Sequence, residues 1–408
     1  MNASEAEAYS RLYGDAFYIF DESRFVANYR ALLAAFRRYY QKAQIAYSYK
    51  TNYTPAICQR VNALGGYAEV VSSMEYALAR RIGVDAKNVI YNGPWKSEAS
   101  VREALTSGSI VNLDSDRDLL LLQQIAREVN EVSMRVGIRC NFLLEGYPDS
   151  RFGFDVEGDS FGKAVAAIRQ LPNVALAGVH CHFPQRELRS FSGRASRIIE
   201  IARQLFEAPP EFISIGGGFY GHMPESMKIN YADGVPEFQD YGETVGRIVA
   251  AAYGNEENSP TLFIEPGTAL VADTFSFVAR VIDVKRVRSR QLACLSGSMF
   301  NISPYARSQT LPVTVLHRTD SGAALSAEDV YDIVGYTCIE GDVLSRDISG
   351  PMSVGDFVVY SNVGSYSIVM KPPFILPSVP IVMRQTNGEC RLVKRAESSD
   401  YLFENFVF

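Results

Sequence analysis

The chain has 408 residues, 47% of them hydrophobic and 21% charged, with a formal net charge of −6. That length buries more than one core region and points to two domains, while the modest charge and the lack of long Lys/Arg clusters exclude nucleic acid as the main partner. The six cysteines, Cys58, Cys140, Cys181, Cys294, Cys338 and Cys390, are dispersed without a C-x-x-C pair, as in a reduced protein rather than a disulfide scaffold.

The polar, acidic start MNASEAEAYSRLYGDAF has neither the basic nor the apolar region of a secretory signal. No apolar run approaches the roughly 18 residues that cross a bilayer. A soluble, cytoplasmic chain is expected, without membrane contact.

In chain order, AFYIF (16–20) reads as a strand and DESRFVANYRALLAAFRRYY (21–40) as a helix with Asp21 placed to cap it. AQIAYSYK (43–50) is a second strand. TPAICQRVNALGG (54–66) carries a full helix signature: Thr54 to cap, Pro55 at the first position, Ile57, Val61 and Leu64 on one face, and a glycine pair to end it. YAEVV, NVIYNG, SIVNLDS, RVGIRCN, VALAGVHCHF, EFISIGGGF and TLFIEPG follow as strands, most with a helical pattern between them. Strands alternating with helices over this span favour a parallel (β/α)8 barrel over an open sheet. From about residue 270 the pattern turns β-rich, through TFSFVARVIDVKRVRSRQLACLSG, PVTVLHR, YDIVGYTCI, GDFVVYSNVG, PIVMRQ and CRLVKR. The expected division is an α/β barrel over 27–268 and an all-β domain formed by 1–26 and 269–408.

Barrel active sites lie at the C-terminal ends of the strands, where this chain places Lys50, Glu69, Arg139, His180, His182, Gly216–Gly218 and Glu265. Alternation puts Ile45, Tyr47 and Tyr49 on one face and Ala46, Ser48 and Lys50 on the other. Alone, Lys50 reads as a strand-end lysine with its amine in water, the glycine run as a turn, and the H-C-H pair as two zinc ligands. The zinc reading needs more ligands, and only His222 and His317 remain, without acidic or cysteine partners at suitable spacing. Together the groups suit pyridoxal 5′-phosphate. A buried lysine amine forms the Schiff base, glycines let backbone N–H groups approach a phosphate, an imidazole stacks on the ring, and a carboxylate keeps the pyridine nitrogen protonated. His182 is expected at the ring and His180 as a core neighbour.

These stretches resemble the fold type III PLP-dependent decarboxylases, which include the diaminopimelate, ornithine and arginine decarboxylases. YSYKTN resembles the lysine motif Y-A-x-K-A-N, and GGYAEVVSSMEYALA resembles G-x-D-V-x-S-x-x-E-x-x-x-A, with Glu69 at the position of the usual aspartate. VNLDS, SRFGF, GVHCHF, IGGGFYG and IEPGTALVA follow in the family's order, GYTCIEGDVLSRD resembles G-P-x-C-[DE]-x-x-D, and NVGSYS resembles G-A-Y. The resemblance implies an alanine racemase-like architecture, a PLP-binding TIM barrel plus a C-terminal all-β domain. It gives Lys50 the cofactor, His182 the ring face and Glu265 the pyridinium. Gly217, Gly218, Gly267 and Thr268 fall at the phosphate or ring, and Glu69 and Tyr366 at the cofactor. It also implies a homodimer with shared sites, Cys338 and Asp342 coming from the partner subunit and Cys338 protonating Cα. A thiol suits that role because its usual pKa of about 8.5 leaves it protonated at neutral pH.

The departures concern substrate and phosphate. Pro184 and Gln185 stand where the family has a glycine and a phosphate-binding serine, and Thr268 where it has an arginine. Ser303 falls at a further arginine position, Ile339 at the acid that faces a distal ammonium, and Ala306, after the substrate-facing Tyr305, at another acid. Distal carboxylates and ammonium groups thus lose their usual partners, although Glu340 and Asp342 keep an amine-bearing substrate open. The expected activity is decarboxylation of a modified, uncharged or conjugated amino acid, for example one tethered to a carrier, in a specialised pathway. The alternatives are a diaminopimelate decarboxylase, an amino-acid racemase, in which an arginine faces the pyridine nitrogen, and a non-catalytic regulator of the same fold. No metal is expected.

Overall fold

The computed structural model describes residues 1–229, 231, 234–307, 310–318 and 329–408. The chain divides into two compact units, one comprising Ala27–Gly221 and Asp233–Ala269, the other Met1–Val26, His222–Ala232 and Leu270–Phe408.

The first unit is a closed barrel of eight parallel strands: Ala43–Ser48, Tyr67–Val70, Val89–Tyr91, Ile110–Leu113, Met134–Asn141, Val174–His180, Phe212–Ser214 and Thr261–Ile264. Closure comes from Ile110–Leu113 pairing with Met134–Asn141 and from Thr261–Ile264 pairing with Ala43–Ser48. Three of these strands are buried along their whole length and the others along most of it, which is why they read as continuous apolar runs. Ala46, Ile90, Ile110, Ala177, Phe212 and Phe263 fill the interior as one cluster. The barrel is therefore a packed core whose chemistry belongs at its rim.

Local signals mostly act as their residue types dictate. The Asp21 carboxylate accepts the N–H of Arg24 at 2.9 Å, and Ser72 caps the helix Ser73–Arg81 through the N–H of Glu75 at 3.2 Å. Thr54 departs from expectation. It makes no capping bond to the helix Pro55–Ala63, because its N–H and hydroxyl both donate to Asn52 Oδ1, at 3.1 and 2.7 Å. The turn after Lys50 has claimed the cap.

The second unit is built on a nine-stranded sheet. At its centre the long strand Phe275–Val287 pairs antiparallel with Ala16–Asp21, Arg290–Leu295 and Phe357–Ser361. AFYIF lies between Phe275–Val287 and the parallel strand Ile381–Arg384, in registers Ala16↔Ala279 and Tyr18↔Ile381. Phe17, Ile19, Val278, Phe357, Val359 and Val382 pack with Ala6 as a core on one face of this sheet. No helix among the described residues is long and apolar enough to cross a membrane.

Candidate active site

Lys50 sits on a short 3-10 turn, Tyr49–Thr51, directly after the strand Ala43–Ser48. Its Nζ donates to Ser48 Oγ and pairs with Glu69 Oε2, both at 2.7 Å. Its side chain keeps 34% exposure, whereas Glu69 keeps 1%. Only the lysine of this pair reaches the open rim. The small residue beside Lys50 is thus a hydrogen-bond partner as well as a source of space, since Ser48 Oγ also donates to Glu69 Oε2 at 2.5 Å.

From Glu69 a chain of buried polar groups crosses the barrel. Asn92 Nδ2 donates to Glu69 Oε1 at 3.0 Å and to Glu265 Oε1 at 3.1 Å, and its Oδ1 accepts from Asn112 at 2.7 Å. Glu265 also accepts from Ser214 Oγ at 2.8 Å and meets His180 Nε2 at 3.3 Å. Burial opposes the charge on Glu265, but His180, then His182 and Lys50, outweigh it and hold the carboxyl well below the usual carboxylate range. It is an anion at neutral pH.

His182 follows the strand Val174–His180, and its Nδ1 accepts the N–H of Gly217 at 2.9 Å. Burial, with the Lys50 and Arg139 cations adding to it, pushes this imidazole well below its ordinary value. The ring is therefore neutral, with its proton on Nε2. Arg139 pairs with Asp114 at 2.9 Å and donates to the carbonyl of His182 at 3.4 Å, fixing the loop that carries the ring.

Two glycines are required by close approach. A Cβ on Gly217 would lie 2.2 Å from the carbonyl oxygen of Glu265, and one on Gly267 would lie 2.0 Å from Thr51 Oγ1. The run 216–218 and the turn 265–268 are thus locked together, and Glu265 N–H donates to Gly216 O at 3.0 Å. Gly216 and Gly218, at φ +71 and +97, adopt backbone that side chains rarely take. An amine, an anionic carboxylate, a neutral imidazole and a bare glycine backbone at one barrel rim fit pyridoxal phosphate. Among the described residues no group of three or more His, Cys, Asp or Glu could hold a metal ion.

Cys338, Ile339, Asp342, Tyr305 and Tyr366 lie in the sheet unit. Cys338 is exposed, Ile339 is 38% exposed, and both line a cleft of about 460 Å³ shared with Lys285, Arg290 and Tyr336. Asp342 is buried beneath them. It accepts the N–H of Met299 at 2.7 Å and the N–H and hydroxyl of Thr337 at 3.1 and 2.7 Å. Its carboxylate thereby shapes the loop that presents the thiol. The Tyr305 and Tyr366 rings stand 5.4 Å apart, Tyr366 at φ +62.

Asn92, Ser214 and Arg194 escaped the sequence reading. Asn92 reads only as part of the strand NVIYNG, with nothing to mark it as a site residue. Arg194 carried a signal, since it shares the helical stripe of Phe191 and Ile198, where an apolar residue is the norm.

Residues 26–272 match the family model described as pyridoxal-dependent decarboxylase, pyridoxal binding domain. The chain belongs to this family and is a pyridoxal phosphate-dependent amino-acid decarboxylase. It is 24% identical to the diaminopimelate decarboxylase of Methanocaldococcus jannaschii, over 97% of this chain and 92% of that one. It is 27% identical to the L-glutamyl-[BtrI acyl-carrier protein] decarboxylase of Niallia circulans, over 98% and 96%. A crystal structure of the M. jannaschii diaminopimelate decarboxylase superposes with a TM-score of 0.86 at 23% identity, covering 99% of this chain and 94% of that one, a likeness of fold.

Proposed function

We propose that this decarboxylase acts on an amino acid whose distal end is neutral or joined to a larger carrier. The observation that carries this reading is the loop Thr337–Asp342. It presents apolar Ile339 beside the Cys338 thiol, while the carboxylate of Asp342 is bonded inward to Met299 and Thr337. Ser303, at an expected arginine position, is buried, and its Oγ accepts the N–H of Tyr305 at 3.2 Å. A carrier-linked glutamyl substrate in the name of the Niallia circulans relative supports the same direction.

Pyridoxal phosphate, when bound, supplies the electron sink that makes loss of an α-carboxylate feasible. Lys50 would hold it, and Glu69 with Ser48 steadies the free Lys50 amine. Glu265, kept anionic by its contact with His180, would be the partner of a protonated ring nitrogen. That favours decarboxylation over racemase chemistry, where an arginine faces the nitrogen. The neutral His182 ring offers an uncharged face, held in place by Gly217. Cys338 delivers the proton to Cα, from the partner subunit of a homodimer.

Carbon dioxide release from a panel of amino acids tests the substrate reading. Diaminopimelate, ornithine and lysine are expected to turn over slowly, and neutral or carrier-linked amino acids faster. Rapid turnover of diaminopimelate or ornithine refutes it. Sedimentation with and without the cofactor tests the dimer, and a monomer that is fully active refutes the shared site.

A further inference from the structure

Arg194 is a fully buried arginine on the helix Leu188–Leu205. Its guanidinium donates to Ser190 Oγ at 3.0 Å, to the carbonyl of Gly217 at 2.8 Å and to the carbonyl of Gln185. It also lies over the Phe191 ring, 4.1 Å from the centroid. All of these partners are neutral, and among the described residues Arg194 makes no ion pair. Burial pushes the guanidinium down to about 10, with Cys181, Tyr241 and Glu187 as the groups whose fields oppose this.

A buried charge without a counter-ion costs several kcal/mol, so its place in the fold is informative. A Cβ on Gly218 would lie 3.8 Å from Arg194 Nη2, which sets the cation against the glycine run. Its other carbonyl contact is Gln185, at the position where a phosphate-binding serine was expected. Thr268, at the expected arginine, brings no charge. Glu187, at the start of the same helix, acts on Arg194 without contacting it, and the cofactor assignment above adds a stronger anion, the phosphate, at the glycine run.

We infer that Arg194 supplies the positive charge of the phosphate site from behind the glycine loop, in place of the groups lost at Gln185 and Thr268. It is a positioning residue. It ties the 182–185 and 216–218 loops together through their carbonyls, and a cation on a peptide carbonyl polarises the peptide toward a positive N–H end. This rests on the cofactor assignment above.

The test compares equilibrium binding of pyridoxal phosphate and of pyridoxal, which lacks the phosphate, by the visible band of the lysine-bound aldehyde. Wild type is expected to prefer the phosphorylated form. Arg194→Gln, which keeps a donor but loses the charge, is expected to lower that preference about tenfold or more, the scale of one partly screened charge at an effective dielectric of ~20. Arg194→Lys is expected to keep most of it. Equal weakening of both ligands in Arg194→Gln, or an unchanged preference, overturns the proposal by reducing Arg194 to a structural clamp. Should Arg194→Gln not fold, inorganic phosphate decides. It is expected to raise the Tm of the wild-type apoprotein beyond chloride at equal ionic strength, and no specific rise overturns the proposal. A wild type that forms the band with neither aldehyde refutes the Lys50 assignment instead.

Discussion

Glu75 offers a sharp test of the electrostatics beneath the candidate site. It lies in the first turn of the helix Ser73–Arg81, is 4% exposed, and accepts the N–H of Val71 at 2.8 Å. Burial pushes its carboxyl from 4.5 up to about 7, with the Glu69 carboxylate adding to this and the Val71 N–H and Lys50 opposing it. A carboxyl raised on folding contributes stability that is fully present below its unfolded value and is lost as pH rises through its folded value. The shift corresponds to about 3 kcal/mol at ~1.4 kcal/mol per unit. Glu75→Gln keeps an acceptor for Val71 and removes the charge. The stability of the variant relative to wild type should therefore improve by about 3 kcal/mol between about pH 5 and pH 8. At about 2 cal/mol/K per residue, that is a relative gain of roughly 4 °C in Tm for a chain of this length melting as a whole. Thermal melts of both proteins at the two pH values measure it, and the titration of groups distant from Glu75 cancels in the difference. An equal gap in Tm at both pH values would sink the reasoning, because Glu75 would then titrate as an ordinary surface acid.

Gly217→Ala forces the glycine run away from the Glu265 carbonyl, at the ~1–3 kcal/mol cost of overpacking, so pyridoxal phosphate affinity should fall at least tenfold; a titration giving wild-type affinity contradicts the close approach. Lys96 and Asp118 pair at 2.6 Å with exposures of 0% and 2%. Asp118→Ala should cost about 3–5 kcal/mol in urea unfolding and Lys96→Met with Asp118→Leu should recover most of it, whereas a single variant as stable as wild type refutes a buried pair. Because the His182 imidazole is held well below 6.5, stability should be lost as pH falls below that value, when the unfolded ring takes a proton and the folded one does not. Imidazole NMR of the folded protein should then place the His182 midpoint well below 6.5, and a midpoint near 6.5 would contradict its burial.

The barrel was legible because parallel strands buried on both sides write themselves as short apolar runs, and because helices announce their ends with residues such as Pro55 and the Gly65–Gly66 pair. Candidate site residues stood out where they sit at strand ends with unusual chemistry, as Lys50, His182 and Glu265 do. The polar chain beneath them was not. Asn92 and Ser214 are small polar residues whose partners, Glu69 and Glu265, are set by barrel closure rather than by neighbours in sequence. Thr54 failed as a cap for a local reason, competition from Asn52. The sequence assigns AFYIF to the all-β domain but not to particular neighbours in its sheet, since its strand pairs with segments more than two hundred residues away.

That distant pairing has a consequence for how the chain is made. Ala16–Asp21 leaves the ribosome well before Ile381–Arg384, which covers one of its edges and arrives about 360 residues later. At ~5–20 residues per second, the wait is from about 18 seconds to more than a minute. The barrel strands, all complete by Ile264, are available to fold in that interval while an apolar strand waits with open edges, a template for mispairing. Expression in a host with slow translation or limited chaperone capacity is therefore expected to lose material at this strand first, and a chain ending before Ile381 should aggregate even though every barrel residue is present.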